Sequence, residues 1–169
     1  MKELLNHKLT LLKPISTEDS YKLYSDFKVI AEIKIKDTSA EVVIEEDKLI
    51  FQKKGLLTTF VHVIKEDLKI NLYKIPVRNY YQTKFSFRGV KVRFKLHKFC
   101  NTSWAWFDDK KEIIAEYKIP GNKIERGLNI INEKYLNLEN LVLLIMLGWF
   151  LLLTIYSDAY GFTIKDSSG

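Results

Sequence analysis

The sequence predicts a mainly β fold: a closed antiparallel barrel of about twelve strands around one buried hydrophobic helix at 138–156. Three observations predict it. Apolar and polar residues alternate at period two through most of the chain, as half-buried strands require. Ten Phe, nine Tyr and three Trp supply bulky core residues, while seven Gly and three Pro leave little room for disorder. The run from Leu141 to Tyr156 then carries no charge and has no polar face.

Taken in order, "STEDSYKLYSDF" suggests a short helical turn capped by Ser16 or Thr17. "KVIAEIKIK" places Val29, Ala31, Ile33 and Ile35 on one face, with Lys28, Glu32, Lys34 and Lys36 mostly opposite. "AEVVIEEDKLIFQKKG" is two strands broken near Glu46 and Asp47. "TTFVHVIK" and "DLKINLYKI" alternate again until Pro76, which cannot donate to a sheet ladder. "TKFSFRGVKVRFKLHK" makes a hairpin with Phe85, Phe87, Val92, Phe94 and Leu96 inward. "SWAWFDDKKEIIAEYKIPG" makes another, turning at Asp108–Lys110. "NKIERGLNIINEKY" is a strand interrupted at Gly127, and "YGFTIKD" is a final strand. Short connections and the lack of a Ser/Gly-rich linker give one domain over 1–169, with 1–27 its least strand-like part.

For the apolar segment, Asn137 is the expected N-cap and Glu139 suits the positive end of the helix dipole. Being apolar on every side, the helix must be enclosed by protein or by lipid. A bilayer-spanning helix needs about twenty mostly apolar residues, and sixteen uncharged ones leave both readings open. The alternative to a barrel plug is therefore a single-pass membrane anchor carrying a basic cytosolic domain. Burial is the expected outcome, because no Lys or Arg closely flanks the run, Trp149 sits mid-segment, and strand-like alternation resumes in "GFTI".

"KELLNHKLTLLKPIS" lacks the apolar core of a secretory signal, and the single Cys100 cannot form an internal disulfide. A cytoplasmic location, peripheral at a membrane, is expected, and the sequon at Asn101 is read as chance. His97 and Cys100 are too few to hold a structural zinc. The chain has no P-loop, G-x-G-x-x-G, H-E-x-x-H or G-x-S-x-G motif. The expectation is a protein that is not an enzyme, with no cofactor and no metal.

The net charge of +6 is concentrated. From Leu68 to Phe107 there is no Asp or Glu, whereas Lys69, Lys74, Arg78, Lys84, Arg88, Lys91, Arg93, Lys95 and Lys98 all fall there. If the Phe-rich faces of the "KFSFRG" and "VKVRFKLHK" strands point inward, then Lys84, Arg88, Lys91, Arg93, Lys95 and His97 project outward. Strands about 4.8 Å apart would bring these charges into one patch. Such a patch suits phosphate oxygens, with Arg as a bidentate donor and Lys as a point charge. Its plainer reading is a solvated sheet face. Nucleic acid would need base-stacking surfaces such as Tyr80, Tyr81 or Trp104, but many of the chain's aromatics alternate as core residues, which disfavours that partner.

The strand pair "SWAWFDDKKEIIAEYKIPG" followed by "NLENLVLLIMLGWFLLLTIY" resembles the tubby C-terminal-like superfamily, which includes tubby-like domains, LURP-one-related proteins and phospholipid scramblases. The resemblance covers most of Phe27 to Lys165 and rests on pattern and order. It implies a closed barrel of about twelve strands threaded by a hydrophobic helix. Tubby domains bind phosphoinositides, scramblases are tied to lipid movement, and the resemblance brings no enzyme chemistry. Joined to the basic stretch from Leu68 to Phe107, it gives the expectation of a non-enzymatic module that binds an anionic phospholipid or phosphoinositide, or another phosphorylated partner. A purely structural role in binding another protein is a third reading.

Overall fold

A computed structural model describes residues 7–15, 19–78, 82–98, 103–120 and 124–167, with side chains described as far as Ile155. Twelve antiparallel strands close into a barrel, each paired with its sequence neighbours, and the first strand closes on the last. The strands are β1 (Lys8–Leu12), β2 (Ser20–Ser25), β3 (Lys28–Lys36), β4 (Ser39–Ile44), β5 (Asp47–Lys54) and β6 (Thr59–Lys65). They continue as β7 (Ile70–Val77), β8 (Thr83–Phe87), β9 (Val90–Lys98), β10 (Ser103–Phe107), β11 (Ile113–Lys118) and β12 (Arg126–Ile131). A 3-10 turn at Glu133–Tyr135 leads into the helix α1 (Leu141–Ser167). Simple up-and-down connection gives the barrel two ends. The helix enters at the end formed by the β2–β3, β4–β5, β6–β7, β8–β9 and β10–β11 turns, and runs toward the other.

Period-two burial in the strands follows from this closure. Leu9, Leu11, Leu23, Ala31, Ile33, Val42, Phe51, Val61, Val63, Ile75, Phe87, Val92 and Phe94 line the lumen with almost no exposure. Along α1, Leu143 through Leu147 and Trp149 through Leu153 are buried against them. A helix that is apolar all round is stable in water only when enclosed, and the strands enclose it. Protein therefore surrounds residues 141–155, which fills the place the single-pass reading gave to lipid. Among the described residues, no helix is long and apolar enough to cross a membrane.

Helix and wall are fitted by two missing β-carbons. A Cβ on Gly127 of β12 would lie 2.1 Å from Cη2 of Trp149. A Cβ on Gly148 of α1 would lie 2.2 Å from the Tyr117 hydroxyl oxygen and 2.9 Å from Trp106 Nε1. Buried polar atoms at these contacts are paired, as a low-dielectric interior demands. Trp149 Nε1 donates to Asn129 Oδ1 at 2.6 Å. Trp106 Nε1 donates to the Tyr117 hydroxyl at 3.1 Å, and that hydroxyl donates to the Ile145 carbonyl at 2.8 Å. Burial pushes the Tyr117 phenol well above its ordinary range, with the Trp106 hydrogen bond acting weakly the other way, so the group stays a neutral donor.

Several expectations are corrected. Residues 16–18, including Ser16 and Thr17, lie outside the described residues, and Ser20–Ser25 is a strand, because pairing with β1 and β3 buries Tyr21 and Leu23. The helix starts at Leu141, not Leu138: Asn140 adopts φ +58° and its carbonyl accepts from Leu143 N at 3.0 Å, so it and not Asn137 heads the helix. "YGFTIKD" continues that helix to Ser167 and makes no strand, since β1 and β12 already close the sheet. Leu96 is about one-third exposed and not a core residue, because the β9–β10 register shifts between Ser103 and Trp104.

Candidate functional site: a cationic outer face on β8 and β9

The β8–β9 hairpin is paired along its whole length, with Thr83 opposite Phe94, Lys84 opposite Arg93, Phe85 opposite Val92 and Ser86 opposite Lys91. Phe85 and Phe87 pack edge-on at 6.1 Å inside, and Phe94 lies 4.8 Å from Trp106. Alternation then forces Lys84, Ser86, Lys91 and Arg93 onto the outer surface, where all four are exposed.

The six expected site residues separate into three groups. Lys84, Lys91 and Arg93 form the exposed centre of the face. Lys95 and His97 also reach the outer side, but they lie over Phe107, which faces outward on β10. Lys95 Nζ sits 4.9 Å from the Phe107 ring centroid, and the His97 ring 5.6 Å from it. Those contacts bury Phe107 and anchor the two side chains at the margin of the patch. Arg88 is elsewhere: it occupies the β8–β9 turn at φ +47°, at the end where the helix enters. Its guanidinium pairs with Glu139 at 3.7 Å, and with the Asn140 amide turned to face it, Nε donates to Asn140 Oδ1 at 3.2 Å. Arg88 thus ties the hairpin turn to the helix start, and the expected six-residue patch contracts by one.

Charge pairing distinguishes the centre of the face from its surroundings. Lys13, Lys22, Lys36, Lys65, Lys98 and Lys134 each stand beside an Asp or Glu. Among the described residues Lys84, Lys91 and Arg93 have no acidic partner within salt-bridge distance. Lys84 and Arg93 are moreover direct cross-strand neighbours, an arrangement in which like charges destabilise a sheet.

The positive surface extends beyond β8 and β9 in two directions. On β5–β7, His62 stands opposite Gln52 and Lys74. Its imidazolium is disfavoured first by desolvation and then by the nearby charges of Lys54 and Lys74, which hold its pKa below the ordinary value. From the end of β9 across β10–β12, Lys98, Lys118 and Arg126 border an open hollow of about 430 Å³ whose other walls include Ser103, Glu116 and Leu128. Glu116, only 13% exposed, accepts from the Ser103 hydroxyl at 2.7 Å and stands 4.0 Å from Lys98 Nζ. The hollow therefore carries three cations and one hydrogen-bonded carboxylate. Lys118 and Arg126 escape sequence reasoning because only the β9–β10–β11–β12 register brings them to Lys98.

Cys100, Asn101, Tyr80 and Tyr81 lie outside the described residues. Trp104 is a core residue stacked on Phe94 at 5.6 Å, so it offers no outward surface for a base. Among the described residues no group of three His, Cys, Asp or Glu side chains is placed to hold a metal ion. Asp108 and Asp109 belong to the β10–β11 turn, as their spacing suggests. Asp108 Oδ1 accepts from Glu112 N at 2.8 Å, and its Oδ2 accepts from the Tyr135 hydroxyl.

Comparison of the chain with protein-family models, with curated proteins and with solved structures finds no match.

Proposed function

We propose that this protein is a non-enzymatic, tubby-like binding module whose outer β8–β9 face holds a phosphate-bearing partner, foremost the headgroups of an anionic phospholipid. The observation that carries the reading is the Lys84–Arg93 cross-strand pair, with Lys91 beside it and, among the described residues, no acidic partner within salt-bridge distance of the three charges. Like charges set opposite one another cost stability in the free protein. That cost is recovered when an anion lies across them. Arg93 can present paired N–H donors to phosphate oxygens, and the two lysines add point charges. The cations around His62 and the hollow widen the attractive field and favour a surface over an isolated ion. The barrel closed around a hydrophobic C-terminal helix supports the tubby-like assignment by its strand number and order.

Flotation with phosphatidylcholine vesicles, with and without phosphatidylserine or a phosphoinositide, tests the reading. The protein floats with the anionic vesicles, and the triple charge reversal of Lys84, Lys91 and Arg93 to Glu leaves it at the bottom of the gradient. Equal recovery on neutral and anionic vesicles, or no effect of the reversal, refutes it.

A further inference from the structure

We infer that the β5–β6 loop is a membrane-inserting tip, through which Leu56 and Leu57 enter the acyl region of an anionic bilayer. The inference rests on the anionic-lipid reading above and adds a depth and an orientation to it. Leu56 and Leu57 are 104% and 103% exposed, so among the described residues nothing covers either side chain. One exposed leucine would need no explanation, but two adjacent ones at the apex of a turn form an apolar point.

The turn that presents them is tight. Gly55 sits at φ +123°, and a β-carbon there would fall 1.8 Å from the Thr58 carbonyl oxygen. The backbone of Gly55 therefore packs directly on that of Thr58, a geometry open only to glycine, and the two leucines stand at the head of a narrow loop. The β5 and β6 stems are held in register on both sides of it, from Leu49 opposite Lys65 to Lys54 opposite Phe60.

Charge identifies the occupant. Lys54 immediately precedes the tip, and Lys74 lies on the next strand but one, with its Nζ 4.4 Å from the Phe60 ring. Lys84 and Arg93 follow on β8 and β9. At about 4.8 Å per strand, the three steps from β5 to β8 place Lys74 and Lys84 within ~14 Å of Lys54 around the barrel wall, and Arg93 lies one strand further, at ~19 Å. Cations flanking a protruding apolar point match a bilayer with negative headgroups outside and hydrocarbon within. A protein groove would have to supply both a deep apolar pocket and an acidic collar. The tip also lies at the end toward which α1 runs, opposite Arg88 and the helix entrance, so docking leaves the helix entrance facing away from the membrane.

The test uses the full chain and vesicles of phosphatidylcholine with and without phosphatidylserine. Leu57→Trp places an indole at the tip, and its emission is read as the difference from the wild type, whose three tryptophans are buried or nearly so. On anionic vesicles the added emission shifts to the blue and is quenched by lipids brominated along the acyl chain. The double variant Leu56→Ser/Leu57→Ser, folded by circular dichroism, binds these vesicles about tenfold or more weakly while keeping its preference for the anionic ones. Undiminished binding by the double variant, or an indole quenched only by aqueous iodide, overturns insertion while leaving the basic-face reading intact. Insertion that persists with no preference for anionic lipid overturns the basic face and leaves the tip. No association of the wild type with either vesicle overturns both, and directs the tip to a protein partner.

Discussion

Gly127 on β12 faces Trp149 on α1 so closely that a β-carbon would stand 2.1 Å from the indole. The ring occupies the space a side chain would take, and its Nε1 donates to Asn129 two residues further along the same strand. Wall and plug are thereby keyed at one height. Gly127→Ala is expected to destabilise the fold by about 1–3 kcal/mol, because neither the buried ring nor the strand backbone can yield freely. Urea denaturation of the variant measures it; an unchanged midpoint would show that the helix is free to slide in the lumen.

The Tyr117 hydroxyl makes the second key. Removing it in Tyr117→Phe leaves the Trp106 indole N–H without its acceptor and takes a hydrogen bond from the Ile145 carbonyl. An orphaned buried donor costs about 1–3 kcal/mol. The expected outcome is a loss of that size in chemical denaturation, with the far-ultraviolet circular dichroism unchanged. A variant as stable as the wild type would contradict the pairing.

The pH dependence of stability is set partly where the chain turns into the helix. Burial acts to raise the Asp108 carboxyl, but hydrogen bonds from Tyr135 and from the backbone of Glu112 and Lys110 outweigh it and hold the group below its ordinary value. Its contribution is therefore present above the ordinary carboxylate pKa and lost as pH falls through the depressed one. Tyr135 is raised to about 12, by burial first and then by Asp108. Its contribution is present below the ordinary tyrosine pKa and lost as pH rises through about 12. Tyr135→Phe should remove the alkaline loss and, by taking away one of the hydrogen bonds that depress Asp108, shrink the acid loss. Thermal unfolding across pH reads both limbs, and a profile identical to the wild type would refute the linkage.

Much of the barrel was legible in the sequence because alternation at period two is a local signal. The β3–β4, β4–β5, β8–β9 and β10–β11 hairpins all follow from it, as does the enclosure of a helix apolar on all sides. What escaped depends on partners far away in the chain. Gly127 looks like an interruption of a strand until Trp149, 22 residues later, is set against it. Ser20–Ser25 has polar turn-like neighbours in sequence, and its strand character comes from pairing with β1 and β3. "YGFTIKD" alternates like a strand, but a sheet already closed on β1 leaves no edge for it. In the basic face, alternation places Lys84, Lys91 and Arg93 correctly. It fails for Arg88, which a two-residue turn diverts to Glu139, and for Lys118 and Arg126, which only the distant register brings to Lys98.

Function and stability should oppose each other at the Lys84–Arg93 pair. Lys84→Ala removes a like-charge contact across the hairpin, so the variant is expected to be more stable by about 0.2–1 kcal/mol at low salt, with the gain fading as salt screens the pair. The same substitution weakens binding to anionic vesicles. A variant that loses stability would show that Lys84 is held in place by contacts of structural value, against the reading of a site.

The most direct measurement of the central claim is lysine reactivity toward an acylating reagent, read residue by residue with and without phosphatidylserine-containing vesicles. Lys22 on β2 is the internal reference, since it lies six strands from β8 in a ring of twelve. Lys84 and Lys91 should be protected several-fold by anionic vesicles and not by neutral ones, with Lys22 unchanged. Equal reactivity at all three with both kinds of vesicle, or protection of Lys22 alone, would contradict a lipid-binding face on β8 and β9.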